Sequence, residues 1–425
     1  MNQTKRRDLR ILFGSNCVHT NSGYGTEMRD LLYRFLEDGW PIAMSAFWGI
    51  QGFPATLHGE DLIKETDRFK GLKLKCYPVM DNPWGSDALV AHGQNYGANA
   101  IMTMQDAWTL DVNHLRQIKY WCPYVPIDKD PISPSILEKL QYAYRIITFS
   151  RFGQKALQKA GFTSTLILEG TDTNIFKPLD KAEMRKAFNL PQDAFIFGMV
   201  AANKENPPRK GFQEALEAFK MFYDKHPEAA LLIHTQQMSP TGFPVQQFAA
   251  HLGVGHRLFL IAPYQAVWMS DSFSINKEMN AMDVLLHPSQ TEGFGLTVVE
   301  AQSAGIPVIV NNCHSMPELV VEGKTGFICQ TDKARFTNDL SYVYPANVQS
   351  LYEQMEKVYA LVKENPDKVK TDCREHIQAN YNIDTIVKES WIPFWERLQI
   401  EILGENAMNG ILPVKEEGAK LETPG

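Results

Sequence analysis

The chain has 425 residues, more than one hydrophobic core usually supports, so two domains are expected. Apolar residues at 44% and charged residues at 21% are ordinary for a globular protein, and the net charge of −7 argues against general attraction to nucleic acid or acidic lipid. No apolar run reaches the roughly 18 residues of a membrane span, and Leu9 to Phe13 is too short for a signal-peptide core. The six scattered cysteines indicate neither a zinc site nor a disulfide framework. A cytoplasmic protein is expected, and peripheral contact with a membrane stays open.

The chain begins with a pattern of strand, glycine loop and helix. Leu9 to Gly14 is a short apolar run, and an amphipathic run from Glu27 to Leu36 follows the glycines Gly23 and Gly25. Backbone N–H groups at such a helix start suit a phosphate or a sugar hydroxyl. A purely structural turn fits the pattern equally well.

Further strands are predicted over Pro41 to Trp48, Leu74 to Val79, Ala98 to Met104 and Trp121 to Asp128. The last two end close to Asp106 and on Asp128. Ligands collect at the carboxyl ends of parallel strands, so both carboxylates are candidates for a site. Capping of loops or helices is the alternative role for each.

Residues Glu169 to Asp172 are interpreted as structural, with Gly170 and Asp172 shaping a tight turn near the end of the first domain, which spans residues 1–178. The second domain, residues 179–383, begins with a strand over Phe195 to Ala202 that is apolar enough to be buried on both faces. The following loop carries the cations Lys204, Arg209 and Lys210 before a helix. Such a loop can hold a diphosphate by charge and backbone donors, although a solvated basic loop is the simpler alternative.

The most informative stretch lies between two later strands. An apolar strand ends at Pro288, the Gly293-Phe294-Gly295 loop follows, and Leu296 to Ser303 is predicted to be a helix. This order creates an anion site, because unpaired N–H groups and the helix dipole face outward together. Glu292 and Glu300 add carboxylates, so the stretch predicts a site for phosphate and hydroxyl groups.

The pair Glu292 and Glu300, with Glu-Gly-Phe-Gly-Leu at its start, resembles the signature of GT-B glycosyltransferases of retaining family 4. Lys204 and Lys210 have the spacing of the family's two donor-binding basic residues, with lysine replacing the usual arginine at 204. Two positions depart from the family: Asp128 stands where many members have histidine, and Glu169 stands where they have asparagine or histidine.

The resemblance implies an α/β protein of GT-B fold, with two Rossmann-like parallel-sheet domains that face a central cleft. The helical stretch at 384–403 would cross back onto the first domain, the loop from Tyr264 to Ser274 would seat the nucleotide base, and residues 404–425 are predicted to be a disordered tail.

The implied activity is transfer of a sugar, with retention of configuration, from a UDP- or GDP-linked donor to an unidentified glycan, lipid or other small acceptor. No metal or cofactor is expected. Glu292 would orient the donor sugar, Glu300 would bind ribose hydroxyls, and the leaving diphosphate would take the acceptor's proton, with Asp128 or Asp106 as lesser candidates. The residues expected to act in catalysis are Glu292, Lys210 and Asp128; those expected to bind the donor are Gly23, Lys204, Arg209, Lys210, Glu292, Gly293, Phe294, Gly295, Leu296 and Glu300.

Other functions fit the same residues. The alternatives are a non-catalytic or epimerase-like nucleotide-sugar binding protein, and a transferase that acts on DNA or protein. The acidic net charge disfavours DNA only weakly.

Overall fold

The computed structural model describes residues 6–64, 66–205, 207–235, 241–262 and 271–404. The tail predicted to be disordered lies outside these residues apart from its first position. The same holds for Asn206 in the basic loop and for residues 264–270 of the stretch expected to seat the base. A helix begins at Ser272, within the rest of that stretch.

The first lobe is built on an eight-stranded sheet with the order β3-β4-β2-β1-β5-β6-β7-β8. All its pairings are parallel except that of β3 with β4, which is antiparallel and was not predicted. The strands are β1 Ile11–Asn16, β2 Ile42–Trp48, β3 Ala55–His58, β4 Lys73–Tyr77, β5 Ala100–Thr103, β6 Trp121–Val125, β7 Ile146–Thr148 and β8 Ser164–Leu166.

The second lobe is built on a six-stranded parallel sheet with the order β11-β10-β9-β12-β13-β14, and a small antiparallel hairpin follows it. The predicted fold class, two parallel-sheet lobes of a GT-B protein, is confirmed. The strands are β9 Ile196–Val200, β10 Ala230–His234, β11 Leu258–Leu260, β12 Val284–His287, β13 Val308–Asn311, β14 Gly326–Cys329, β15 Arg335–Phe336 and β16 Tyr342–Val343.

Helices cover both sheets, as parallel strands buried on two faces require. The helix predicted over Leu296 to Ser303 has those bounds. The helices are α1 Gly23–Glu37, α2 Gly59–Leu62, α3 Ser86–Tyr96, α4 Val112–Leu115, α5 Pro134–Leu140, α6 Arg151–Lys159, α7 Lys181–Ala187, α8 Phe212–Tyr223, α9 Val245–His251, α10 Ser272–Ala281, α11 Leu296–Ser303, α12 Val348–Glu364, α13 Pro366–Asn380, α14 Ile383–Ile386 and α15 Ile392–Leu403. No helix in the described ranges combines the length and apolarity that a bilayer crossing needs.

The C-terminal helical segment packs on the first lobe. It is not one α-helix, because a π-helical turn over Val387–Trp391 separates α14 from α15. The ring of Trp395 meets Phe13 and Phe35 at centroid distances of 5.9 Å each. The side-chain oxygen of Gln399 accepts a hydrogen bond from the backbone N–H of Leu9 at 3.0 Å.

A buried ion network fixes the same segment. The guanidinium of Arg34 in α1 is 2.7 Å from the carboxylates of both Asp172 and Asp384, and its side chain is only 1% exposed. The predicted turn at Glu169 to Asp172 is thereby tied to α1 and α14. The division of the chain at residues 178 and 179 falls between β8 and α7 and stays a prediction.

Candidate functional site

The glycine loop between β12 and α11 is fixed by hydrogen bonds and by close packing. The hydroxyl of Ser315 is 2.9 Å from the carbonyl oxygen of Glu292 and 2.8 Å from that of Phe294, and donates to them. Gly295 has φ +124°, and a Cβ there would lie 2.5 Å from the terminal methyl of Met316. Among the described residues, the amides of Gly293, Phe294 and Gly295 donate no hydrogen bond. The loop thus presents unpaired donors at the start of α11, as an anion site requires.

Glu292 is the carboxylate of this loop. Its Oε1 forms an ion pair with Nζ of Lys210 and accepts hydrogen bonds from Ser289 at 2.8 Å and from His287 at 3.1 Å. Burial would raise the pKa of Glu292, but Lys210, His287 and Arg209 overcome this and hold the pKa well below its ordinary value. Glu292 is therefore a fixed negative charge.

His287, at the end of β12, positions Glu292. Burial lowers the pKa of His287, so the ring is neutral at pH 7. Its Nε2–H donates to Glu292, and this tautomer leaves Nδ1 to accept from the hydroxyl of Thr297 at 3.1 Å. Sequence reasoning treated His287 only as the end of a strand, although a polar residue closing a buried parallel strand was a usable signal.

The two neighbouring cations of the basic loop lie beside Glu292. Burial lowers the pKa of Lys210, although the charge of Glu292 opposes the shift. Arg209 donates from Nη1 to the carbonyl oxygen of Thr291 at 3.2 Å, and the same nitrogen is 3.9 Å from Glu292. Lys204 is exposed, and it lines one open hollow of about 250 Å³ together with Arg209 and Lys210.

Glu300, in α11, faces the first lobe. It is 7% exposed, and its carboxyl group makes no hydrogen bond within the described ranges. Burial and the charge of Asp30 raise the pKa of Glu300 to about 8, and Arg29 opposes the shift. Arg29 belongs to α1 and donates to the hydroxyl of Ser272 at the start of α10, 2.7 Å away. Both α10 and α11 are therefore close to α1.

The glycine loops of the two lobes approach each other. A Cβ at Gly23 would lie 3.7 Å from Cδ1 of Leu296, and a Cβ at Gly293 would lie 3.0 Å from the ring of Phe149. The hydroxyl of Thr291 donates to the carbonyl oxygen of Asp128. Residues predicted for one site in separate parts of the chain thus meet between the lobes.

The first lobe contributes mainly carboxyl groups. Burial raises the pKa of Asp128 to about 6, although Lys129 and Arg209 lower it. Burial also raises the pKa of Asp106, and Arg209 and the hydroxyl of Tyr24 act against that shift. Both aspartates therefore lie within electrostatic reach of the basic loop on the opposite lobe.

Two buried glutamates near the site were not predicted as site residues. Glu169, interpreted from the sequence as structural, is 4% exposed, and burial and the charges of Glu292 and Glu300 raise its pKa to about 8. Behind it, both carboxylate oxygens of Glu27 are buried without a partner in the described ranges, and burial followed by the charge of Glu169 raises its pKa well above the ordinary value. Glu27 lies in the amphipathic α1, where the sequence pattern gives a glutamate no reason to face inward.

Comparison with known proteins finds a family that part of the chain matches. Residues 180–344 match the family described as "Glycosyl transferases group 1". The chain is 32% identical over 169 residues to a D-inositol 3-phosphate glycosyltransferase of Streptomyces avermitilis, a match that covers 38% of this chain and 34% of that protein. The chain thus spans only about a third of that relative's length.

Solved structures resemble nearly the whole chain. Sucrose-phosphate synthase from Thermosynechococcus elongatus superposes with a TM-score of 0.70 at 17% identity, covering 92% of this chain and 99% of that one. Anabaena Alr3699/HepE in complex with UDP-glucose gives a TM-score of 0.65 at 16% identity, covering 92% and 100%. Residues 180–344 therefore match the glycosyl transferases group 1 family, within a chain of GT-B fold.

Proposed function

We propose that the protein is a retaining glycosyltransferase that transfers a sugar from a nucleotide-diphosphate donor to a hydroxyl-bearing acceptor. The observation that carries the proposal is the buried contact between Lys210 and Glu292 beside the unpaired amides at the start of α11. The family match over residues 180–344 supports it.

The chemistry places developing negative charge on the departing diphosphate. Groups fixed before the reaction and aimed at that charge lower the barrier most, because they need no reorganisation. Lys210, Arg209 and the loop amides would supply these groups, and Lys204 would join them from the rim of the same hollow. Glu292 would keep the cations in place and orient the donor sugar, while Glu300 would bind ribose hydroxyls.

The acceptor oxygen would attack the anomeric carbon from the side of the leaving group. The bond between that carbon and the diphosphate oxygen breaks, and the acceptor's proton passes to the diphosphate. Asp128 and Asp106 are second candidates to accept this proton. In this proposal the basic residues neutralise the diphosphate, so a metal ion is not required.

The test is release of nucleoside diphosphate from UDP- and GDP-linked sugars, with UDP-glucose first because the Anabaena neighbour is described with it. Turnover is expected to persist in EDTA and to fall by about 10²–10³-fold in Glu292→Gln. Lys220→Met, which removes a lysine of an exposed pair on α8, serves as the control. An unchanged rate in Glu292→Gln would refute the proposal, and an altered donor sugar without diphosphate release would favour an epimerase.

A further inference from the structure

Two tryptophans of the first lobe touch each other at its surface. Trp84 and Trp108 have centroids 6.0 Å apart at an interplanar angle of 61°, and they are 44% and 51% exposed. Phe47 supports Trp84 at 6.0 Å. Among the other tryptophans of the described residues, Trp48 is also exposed, at 54%, whereas Trp40, Trp121, Trp391 and Trp395 are at most 1% exposed. A contiguous exposed aromatic surface of this kind marks a binding site more often than a gap in the core.

The turns that carry the two rings are fixed by hydrogen bonds. Nε2 of Gln105 donates to the carbonyl oxygen of Trp84 at 3.2 Å and to the hydroxyl of Thr109 at 3.0 Å, which joins the two turns. Oδ1 of Asn82 accepts from the amide of Trp84 at 2.8 Å. Rings held in this way lose little conformational entropy when a ligand covers them, so their exposed faces are preorganised for binding.

This surface continues into the cleft. The two turns follow β4 and β5, whose carboxyl ends lie at the same edge of the first sheet with β2 and β1 between them. Asp106 precedes Trp108 by two residues and is within electrostatic reach of Arg209 on the opposite lobe. A ligand on the two rings would therefore extend towards the reacting groups from the acceptor side.

The chemistry of the surface favours a sugar chain over a lipid membrane. The negative face of an indole attracts the slightly positive C–H bonds on the flat side of a pyranose ring. Both turns also carry carboxylates, Asp81 and Asp87 in one and Asp106 and Asp111 in the other. Carboxylates accept hydrogen bonds from sugar hydroxyls, whereas they repel the anionic lipid surfaces that basic residues would attract.

We propose that Trp84 and Trp108 form a stacking platform for the sugar rings of an acceptor glycan of several units, with the unit that reacts placed beyond Asp106. This assignment rests on the proposed transferase function and narrows its acceptor to an oligosaccharide or a glycan-bearing molecule. The platform binds sugar units that do not themselves react.

The experiment uses the full chain on a glycan array, followed by titration of the best-bound oligosaccharide and of its component monosaccharide. Binding is expected to be tighter for the oligosaccharide. Trp84→Leu and Trp108→Leu are each expected to weaken it by about tenfold, whereas Trp108→Phe, which keeps an aromatic face, stays within about threefold of the wild type. Melting temperatures of all variants establish that they are folded.

Two results would overturn the platform: an array without any bound glycan, or leucine variants that bind like the wild type. Loss of binding to vesicles of phosphatidylcholine and phosphatidylglycerol in the leucine variants, without loss of glycan binding, would assign the rings to a membrane instead. Release of nucleoside diphosphate without acceptor separates the two proposals, because it depends on the second lobe. Its absence in the wild type defeats the transferase function, whereas its retention in the leucine variants leaves that function intact.

Discussion

Replacing Lys210 by methionine tests the link between fold and chemistry at the centre of the site. Methionine keeps the length of the side chain and removes its charge. The lysine and Glu292 side chains are 15% and 13% exposed, so the pair is largely screened from water. Loss of one preorganised group of this kind is expected to lower turnover of the true donor by about 10²–10³-fold.

The same substitution is expected to destabilise the fold. Breaking a buried pair by removing one partner costs about 3–5 kcal/mol when the other charge is left alone. Here Ser289 and His287 still donate to Glu292, so we expect roughly half of that cost. Adding Glu292→Gln removes the stranded charge, and the double variant should recover part of the lost stability without recovering turnover.

The pH dependence gives the sign of the interaction. Because the pKa of Glu292 in the folded state is held below its unfolded value, the stability it contributes is present above about pH 4.3 and is lost as pH falls through the folded pKa. Lys210→Met should reduce this acid-dependent loss. Urea denaturation between pH 3 and 7 measures it, with Lys220→Met as the control, since its exposed pair contributes only about 0–1 kcal/mol. Near-normal turnover in Lys210→Met, or an undiminished acid-dependent loss of stability, would refute the reasoning.

Three further substitutions probe the surroundings of the site. Glu169→Gln should flatten the pH dependence of the melting temperature. Because the pKa of Glu169 in the folded state is raised to about 8, the stability of the wild type falls as pH rises from about 4.3 to 8. An unchanged slope in the variant would exclude this group as the cause. Gly295→Ala should cost more stability than Gly323→Ala, by about 1–3 kcal/mol in denaturant titrations, because both have positive φ but only the first would meet a neighbour within 3 Å. Arg34→Met should cost about 3–5 kcal/mol and loosen α14, since it strands two carboxylates, whereas Arg145→Met, whose exposed pair with Glu401 lies outside this network, should cost about 0–1 kcal/mol; equal losses would contradict the buried network.

The features that could be predicted from the sequence are local ones. The helix from Leu296 to Ser303 follows from a proline that ends a strand and a glycine pair that starts a helix, all within about 15 residues. The encounter of Lys210 with Glu292 spans a much longer separation, yet each residue lies in a loop at the carboxyl end of a strand in the same sheet. Parallel pairing places such ends together, so the pattern was sufficient.

The features that could not be predicted depend on how separate elements dock. β3 pairs antiparallel with β4 through four residue pairs at the sheet edge. No strong alternation of apolar and polar residues marks it as a strand. The π-helical turn at Val387–Trp391 interrupts a stretch whose apolar spacing suggests one continuous helix. Trp391, the last residue of this turn, packs against both Phe35 and Tyr124, which belong to the first lobe and not to the segment itself.

The buried carboxyl groups also depend on the docking of separate elements, and they distinguish the two sides of the cleft by charge. Glu27 and Glu169 acquire raised pKa values only because α1 and the closing turn of the first lobe meet near α11. These carboxyl groups give a diphosphate no positive charge to bind, whereas Lys210, Arg209 and the loop amides on the other side attract one. In the proposed transferase, a charged donor would therefore bind to the second lobe and a neutral acceptor with hydroxyl groups would suit the first. The groups that create this asymmetry are buried by the docking of separate elements, which no local sequence pattern reveals.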